Sequence, residues 1–182
     1  MAISIQPLNE RNIHDLDRCD DTFTVESKLI LHAENGSIGY TIATVPSYQK
    51  RYPRSTTDYR LYIHDPDKAV YLAYLDMEPA GRIILQKNWN HYAYIEEIVV
   101  DAKHRQRGIG RALIQQAIEW AKAKQLPGIM LETQNNNVAA CLFYQRCGFE
   151  LGGFDTYLYK GIDRHTIDRH TDEIALFWYL IF

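Results

Sequence analysis

The stretch that most constrains this 182-residue chain runs from residue 94 to about residue 124. An apolar run with IEEIVV at its centre predicts a β-strand over residues 94–100. Next comes the sequence Arg105-Gln106-Arg107-Gly108-Ile109-Gly110-Arg111, and the residues after it carry apolar side chains at helical spacing. A strand, a glycine- and arginine-rich turn and an amphipathic helix in this order predict a domain that mixes sheet and helices.

The turn itself predicts anion binding. A helix N-terminus exposes backbone N–H groups that have no acceptor in the helix, together with the positive end of the helix dipole. Gly108 and Gly110 let the backbone approach a phosphate, and the arginines beside them add positive charge. A pyrophosphate cradle is one interpretation, and an ordinary solvated turn is the other. The turn is neither a Walker A motif, since GK[ST] is missing, nor GxGxxG, since Leu113 stands at the third glycine.

The remaining patterns predict an α/β (mixed α+β) fold in a single domain over residues 1–182, without repeats or linkers. From residue 69 onward, strands are expected over residues 69–75, 81–86, 129–132, 150–159 and 174–182, with a turn at 76–80 and a helix over 137–146. In the first half, the expected elements are a short strand near residue 5, a helix over 9–19, a second helix or loop over 20–30, an extended segment over 37–45 and an irregular loop over 46–65.

Composition excludes several classes of function. The formal charge of −3 disfavours nucleic-acid binding, which would call for a basic patch. No apolar run approaches the ~20 residues that span a membrane, and the N-terminus does not resemble a secretory signal. Cys19, Cys141 and Cys147 lack CxxC spacing, which favours a reducing cytoplasm over disulfides or zinc. His165 and His170 lie in DRHTIDRH, which is typical of a polar loop, and no metal site is expected.

Two motifs carry a resemblance to a known family. RxxGxG between a strand and an amphipathic helix resembles the coenzyme A pyrophosphate motif of the GNAT acetyltransferases, and residues 137–149 match that family's NxxAxxFYxxxGF segment at each defined position. YIEEIVV, the segment from IEWAKAKQ to CGF, and ALFWYLIF are similar to the streptothricin acetyltransferases, a branch of the family. The close similarity covers residues 94–182, and the N-terminal half matches only weakly.

The resemblance implies the GNAT fold: a central, mostly antiparallel mixed sheet with splayed strands, flanked by helices. It also implies acetyl-CoA as co-substrate and no metal. The pantetheine arm would pair like an added strand with the backbone of the strand over residues 94–100, where an N–H would polarise the thioester carbonyl. The residues implied for acetyl-CoA are Ile98, Val99, Val100, Arg105, Gln106, Arg107, Gly108, Ile109, Gly110, Arg111, Asn137 and Tyr144.

Three residues are candidates for the chemistry. An alkylammonium with a pKa near ~10 must lose a proton before it attacks, and a carboxylate is a suitable base. Glu96 and Glu97 lie in the right strand on opposite faces by alternation, unless a bulge intervenes; resemblance to diamine acetyltransferases favours Glu96. Base and anchor for a cationic substrate both remain open, and a purely structural pair with a neighbouring arginine is disfavoured. By resemblance, Tyr144 protonates the departing thiolate, against the alternative of a core aromatic, and Asn137 binds pantetheine, caps a helix, or does both.

The expected acceptor is a primary amine of a small molecule, with the β-lysine arm of streptothricin as the leading hypothesis. A polyamine, an amino acid or a protein amine is the alternative acceptor. A catalytically silent acetyl-CoA-binding module is a further alternative, which the retention of Tyr144 and the two glutamates disfavours. The dense tyrosines Tyr48, Tyr52, Tyr59 and Tyr62 either line the substrate pocket or pack a loop. A homodimer is expected by analogy alone.

Overall fold

The computed structural model describes residues 2–160 and 173–182, which form two compact units. Among these residues, the first unit contains residues 2–23, 50–130 and 181–182, and the second contains residues 24–49, 131–160 and 173–180. The strands are β1 (Ile3–Pro7), β2 (Phe23–Glu34), β3 (Ser37–Lys50), β4 (Lys68–Leu75), β5 (Glu78–Lys87), β6 (Ala93–Val100), β7 (Gly128–Gln134), β8 (Glu150–Asp155) and β9 (Ala175–Ile181). The helices are α1 (Ile109–Ala123) and α2 (Val138–Arg146), with 3-10 helices at Ile13–Arg18, Tyr59–Tyr62 and Ala102–His104. The single domain stays a prediction.

The first unit is built on an antiparallel sheet in the order β1-β4-β5-β6. Helix α1 packs against these strands through the buried apolar face that its residue spacing predicts. Strand β5 approaches the start of the helix closely, because a Cβ added to Gly81 would lie 3.2 Å from Ile109 Cγ2. The mixed sheet-and-helix architecture expected from the sequence is confirmed.

The second unit contains nearly all of the two-stranded β2–β3 sheet, residues 131–134 of β7, most of β9, and all of β8 and helix α2. The strand order is β7-β9-β8. Strands β8 and β9 are antiparallel, with Leu151 opposite Trp178. Helix α2 begins at the cap residue Asn137, whose Oδ1 accepts a hydrogen bond from Ala140 N at 3.3 Å. The capping role expected of Asn137 is therefore confirmed.

Strand β2 corrects the prediction of a helix or loop over residues 20–30. It pairs with β3 through a two-residue turn in which Asn35 (φ 52°) and Gly36 (φ 76°) are both left-handed. This is the backbone of a type I′ hairpin, for which Asn-Gly is a preferred sequence. Paired strands satisfy each other's backbone hydrogen-bonding groups. The turn therefore favours a strand for β2, although the side-chain pattern of that segment is ambiguous.

Other boundaries differ from the predictions. The helix expected over residues 9–19 is a 3-10 helix at Ile13–Arg18, and the loop expected over 46–65 contains the end of β3 and the 3-10 helix Tyr59–Tyr62. Strand β8 ends at Asp155, where the carboxylate accepts from the N–H groups of residues 157 and 158 and forms a turn. Within the described residues, neither α-helix combines the length and apolar character needed to cross a bilayer.

Candidate active site

The turn between β6 and α1 has the backbone geometry of an anion cradle. Gln106 and Gly108 are left-handed, with φ of 62° and 86°, and Gly108 is the N-cap residue of α1. The first intrahelical bond runs from Ala112 N to Gly108 O at 3.0 Å, so the N–H groups of residues 109–111 have no acceptor within the helix. Because a side chain strains a left-handed backbone, glycine suits position 108.

Positive charge accompanies these backbone donors. The exposed arginines of the turn and of the first turn of α1 are Arg105, Arg107 and Arg111. The Arg105 Nε donates to Val100 O at 3.2 Å, which links the turn to the end of β6. The Asp101 carboxylate accepts from Asp20 N at 2.9 Å and so fixes the first residue after β6, where the turn begins. Backbone donors and arginines in one short segment fit the pyrophosphate of coenzyme A.

The three residues of β6 predicted to pair with pantetheine direct their backbone polar groups to different sides of the strand. Asp101 N donates to Ala80 O at 3.0 Å, and backbone groups point to alternate sides along a strand. Val99 therefore directs its N–H and C=O toward β5, and its carbonyl oxygen would lie only 2.6 Å from a Cβ on Gly81. Ile98 and Val100 direct theirs away from β5, so of the three predicted residues these two have backbone groups on the other side of β6.

A β-bulge places both predicted glutamates at one face of the sheet. Ile84 of β5 pairs with Glu97, and Leu85 pairs with Ile95, so Glu96 is an extra residue in β6. Ile84 lies in the same apolar cluster as Tyr62, whose hydroxyl bonds to Glu96. The opposite faces expected from simple alternation are therefore wrong, because the bulge shifts the alternation by one residue.

Glu96 has a neutral hydrogen-bond donor. The Tyr62 hydroxyl lies 2.9 Å from Oε1 and 3.1 Å from Oε2 of Glu96. Burial raises the pKa of Glu96, while the Tyr62 hydrogen bond and the charge of Lys68 oppose that rise and Glu97 adds to it. A carboxylate with a raised pKa that still keeps a donor is suited to accept a proton near neutral pH.

Glu97 is held by a cation. Its carboxylate forms an ion pair with the guanidinium of Arg82, a buried residue of β5. Arg82 Nη1 also donates to Leu16 O at 2.8 Å. Burial lowers the pKa of Arg82, but the hydrogen bond and the charge of Glu97, together with the charges of Cys19 and Asp21, raise it overall. Sequence reasoning missed Arg82, although an arginine between buried apolar residues of a strand calls for a buried partner.

The second unit contains Tyr144. The side chain is buried, and its ring centroid lies 5.5 Å from that of Phe143, 5.9 Å from that of Phe149 and 6.4 Å from that of Trp178. The alternative of a core aromatic thus describes the packing of the ring, and its role as an acid stays a prediction.

Sequence reasoning also missed a third glutamate, Glu132 of β7. Burial, with a smaller contribution from the charge of Glu173, raises its pKa to about 7. Among the described residues, no group donates to its buried Oε1. Nearby in the chain, Asn136 Nδ2 donates to Glu173 Oε1 at 3.0 Å and to the Tyr48 hydroxyl at 3.1 Å. The signal in the sequence was a charged residue within the buried run IMLET.

The remaining candidates have ordinary surroundings. In the first unit, Tyr59 packs edge-on against Tyr62 at 5.2 Å between ring centroids, and Tyr52 lies 5.4 Å from Phe23. The predicted polar loop with its two histidines lies outside the described residues. In the part of the chain that the structure describes, His, Cys, Asp and Glu form no group of three that could hold a metal ion.

Comparisons with known proteins agree with both motifs. The profile of the Acetyltransferase (GNAT) family matches residues 39–149. Streptothricin acetyltransferase A of Bacillus subtilis (strain 168) is 38% identical over 179 residues, covering 98% of this chain and 99% of that protein. The streptothricin acetyltransferase of Escherichia coli is also 38% identical, over 98% of this chain and 95% of that protein.

A solved structure extends the similarity to the fold. It is that of a Bacillus anthracis str. Ames protein, provisionally assigned as a streptothricin acetyltransferase and bound to acetyl coenzyme A. The two chains are 46% identical with a TM-score of 0.89, over 100% of this chain and 98% of the other. The resemblance expected mainly from residue 94 onward therefore includes the N-terminal half.

Proposed function

Because this chain belongs to the Acetyltransferase (GNAT) family, which makes it an acetyl-CoA-dependent N-acetyltransferase, we propose that its acceptor is a primary amine of streptothricin. The observation that carries the proposal is similarity to streptothricin acetyltransferases over 98% of the chain. That span includes the β2–β3 hairpin and the 3-10 helix Tyr59–Tyr62, which lie outside the acetyl-CoA motifs. Acetylation would remove a positive charge from the antibiotic and give resistance.

The proposed reaction is a direct transfer. The pyrophosphate binds the N–H groups and arginines of the turn that opens α1, and the backbone of Ile98 and Val100 receives the pantetheine arm. Glu96 takes a proton from the ammonium, and the amine nitrogen then bonds to the thioester carbonyl carbon. The carbon–sulfur bond breaks as the nitrogen loses its second proton, which balances the proton that the thiolate gains. A backbone N–H stabilises the oxyanion formed on the way. Tyr144 is proposed to protonate the departing thiolate, on the strength of the sequence motif.

Two further expectations belong to this proposal. A cytoplasmic location agrees with the three cysteines, all of which are free thiols. A homodimer is proposed by analogy with related domains alone.

A thiol-release assay with acetyl-CoA tests the proposal against streptothricin, several aminoglycosides, spermidine, lysine and a peptide. We expect rapid turnover of streptothricin alone, and Tyr144→Phe should lower kcat by about tenfold or more without changing the KM for acetyl-CoA. Turnover of another amine instead of streptothricin would support the acetyl-transfer reaction and reject streptothricin as the acceptor. Acetyl-CoA binding without any turnover would favour a silent module, and full activity of Tyr144→Phe would remove the acid assignment.

A further inference from the structure

Tyr62 is held in the core of the first unit. It is 7% exposed and belongs to an apolar cluster with Leu72 and Ile84, against which Tyr59 packs. The 3-10 helix that carries it begins at Asp58, whose Oδ1 accepts from Arg60 N at 3.1 Å. A ring fixed on this many sides presents its hydroxyl in one position.

That hydroxyl is directed at Glu96. Its distances to the two carboxylate oxygens, 2.9 and 3.1 Å, place its single proton between them. The ammonium of Lys68 lies 4.4 Å from the centroid of the Tyr62 ring, so a cation also lies over the ring that carries the donor. Burial and the Glu96 carboxylate raise the pKa of the phenol, which therefore stays protonated and keeps its role as donor.

Glu97 has the opposite arrangement. Its partner is the cationic Arg82, which is itself anchored on Leu16 O. Protonating Glu97 or moving it onto a substrate would leave a buried guanidinium without its counterion, which is costly. Glu96 pays no such penalty, because its partner is neutral.

From this asymmetry we infer that Tyr62 is a positioning residue that orients the Glu96 carboxylate toward the acceptor amine, while Arg82 withdraws Glu97 from the reaction. The inference rests on the proposed function, since it names how the acceptor's ammonium is received. It also decides between two adjacent carboxylates that the sequence cannot distinguish.

The inference predicts a shift in pH dependence. The groups that act on Glu96 are Tyr62 and Tyr59 of the 3-10 helix, Lys68 of β4 and Glu97 of β6. Tyr62 favours the ionised form by donating to it, so removing the hydroxyl raises the pKa of Glu96. Activity that needs ionised Glu96 is then lost at a higher pH as the solution is acidified.

The test compares Tyr62→Phe with Tyr74→Phe. Tyr74 is a matched control, because it is 8% exposed and its hydroxyl donates to the Asp15 carboxylate at 2.8 Å in the same unit. In Tyr62→Phe we expect kcat/KM for the acceptor to fall roughly tenfold near pH 6.5 and the acid limb to move up by roughly one pH unit. The KM for acetyl-CoA should not change. Tyr74→Phe should lower only the thermal stability.

A carboxyl NMR titration of Glu96 gives a readout that does not depend on turnover. A rise in its pKa in Tyr62→Phe supports the inference, and an unchanged value overturns it. If Tyr62→Phe does not fold, 3-fluorotyrosine at position 62, a stronger donor of nearly the same size, should move the titration and the acid limb to lower pH. Wild-type protein that acetylates no amine would reject the proposed function, whereas active wild type with a Tyr62→Phe profile unchanged in pH would reject the role of Tyr62 alone.

Discussion

Glu96 of β6 and Glu132 of β7 are both half-buried glutamates in apolar strands, and burial raises the pKa of each. Their partners differ. Glu96 accepts from Tyr62 and feels the charge of Lys68, whereas Glu132 has one oxygen without a donor among the described residues and a second glutamate as its electrostatic neighbour.

These partners show how a buried carboxylate can resist the rise in pKa that desolvation causes. A donor and a cation offset part of the desolvation of Glu96, so that its pKa rises less than burial alone would raise it and its orientation is fixed. Without them, burial and the charge of Glu173 raise the pKa of Glu132 to about 7, so this carboxyl titrates in the neutral range. The contrast predicts that Glu96 matters most for activity and that Glu132 matters most for the pH dependence of stability.

The largest expected effect is that of Glu96→Gln. Since an amide cannot take the ammonium proton, kcat/KM for the acceptor should fall by about 10²–10³-fold and the acid limb of the pH profile should disappear. Glu97→Gln is the comparison: it removes the counterion of buried Arg82 and should lower the stability, whereas kcat/KM of the folded variant should fall by less than about tenfold. An acid limb that survives in Glu96→Gln but is lost in Glu132→Gln would move the base to Glu132.

The next effect is on stability and concerns Glu132→Gln. The folded pKa of about 7 lies above the ordinary value of 4.5, so the native state holds the proton more tightly and wild-type stability falls as pH rises from about 4.5 through 7. Glutamine has no such dependence. Relative to wild type, the variant should gain about 1–3 kcal/mol at pH 8 and nothing at pH 4, measured by urea unfolding. Parallel stability curves for the two proteins would contradict the assignment.

The smallest effect is that of Lys68→Met, which keeps the packing over Tyr62 and removes the charge. Because Lys68 favours ionised Glu96, the acid limb should rise by about 0.3 pH units, and less in high salt. Lys122→Met is the control, since its ammonium lies over the Phe182 ring at 5.1 Å. Equal pH profiles for wild type and Lys68→Met at low salt would show that Lys68 does not influence the ionisation of Glu96.

The elements with clear periodicity were predicted closely. The buried face of α1, the cap at Asn137 and the strands on either side of Asp76 and Met77 follow from spacing and turn chemistry. Strand β2 was missed because its residues lack a clean alternation, although Asn35-Gly36 is a hairpin signal that could have identified it.

The candidate site was predictable in part. The turn that opens α1 has a left-handed glycine at its N-cap, which a local sequence pattern predicts, and its anion binding stays a prediction. The partners of the glutamates were not predictable, because Tyr62 is 34 residues from Glu96 and Arg82 is 15 residues from Glu97. Contacts at those separations depend on strand register and on how a loop packs.

The family, the co-substrate and the position of the glycine-containing turn that opens α1 could be inferred from the sequence alone, because short segments with recognisable local patterns identify them. Only the tertiary structure decided which glutamate has a neutral donor and which is tied to a cation. The physical reason is the bulge at Glu96: one extra residue in β6 brings two adjacent carboxylates to the same face, where packed side chains from elsewhere in the first unit give them different partners.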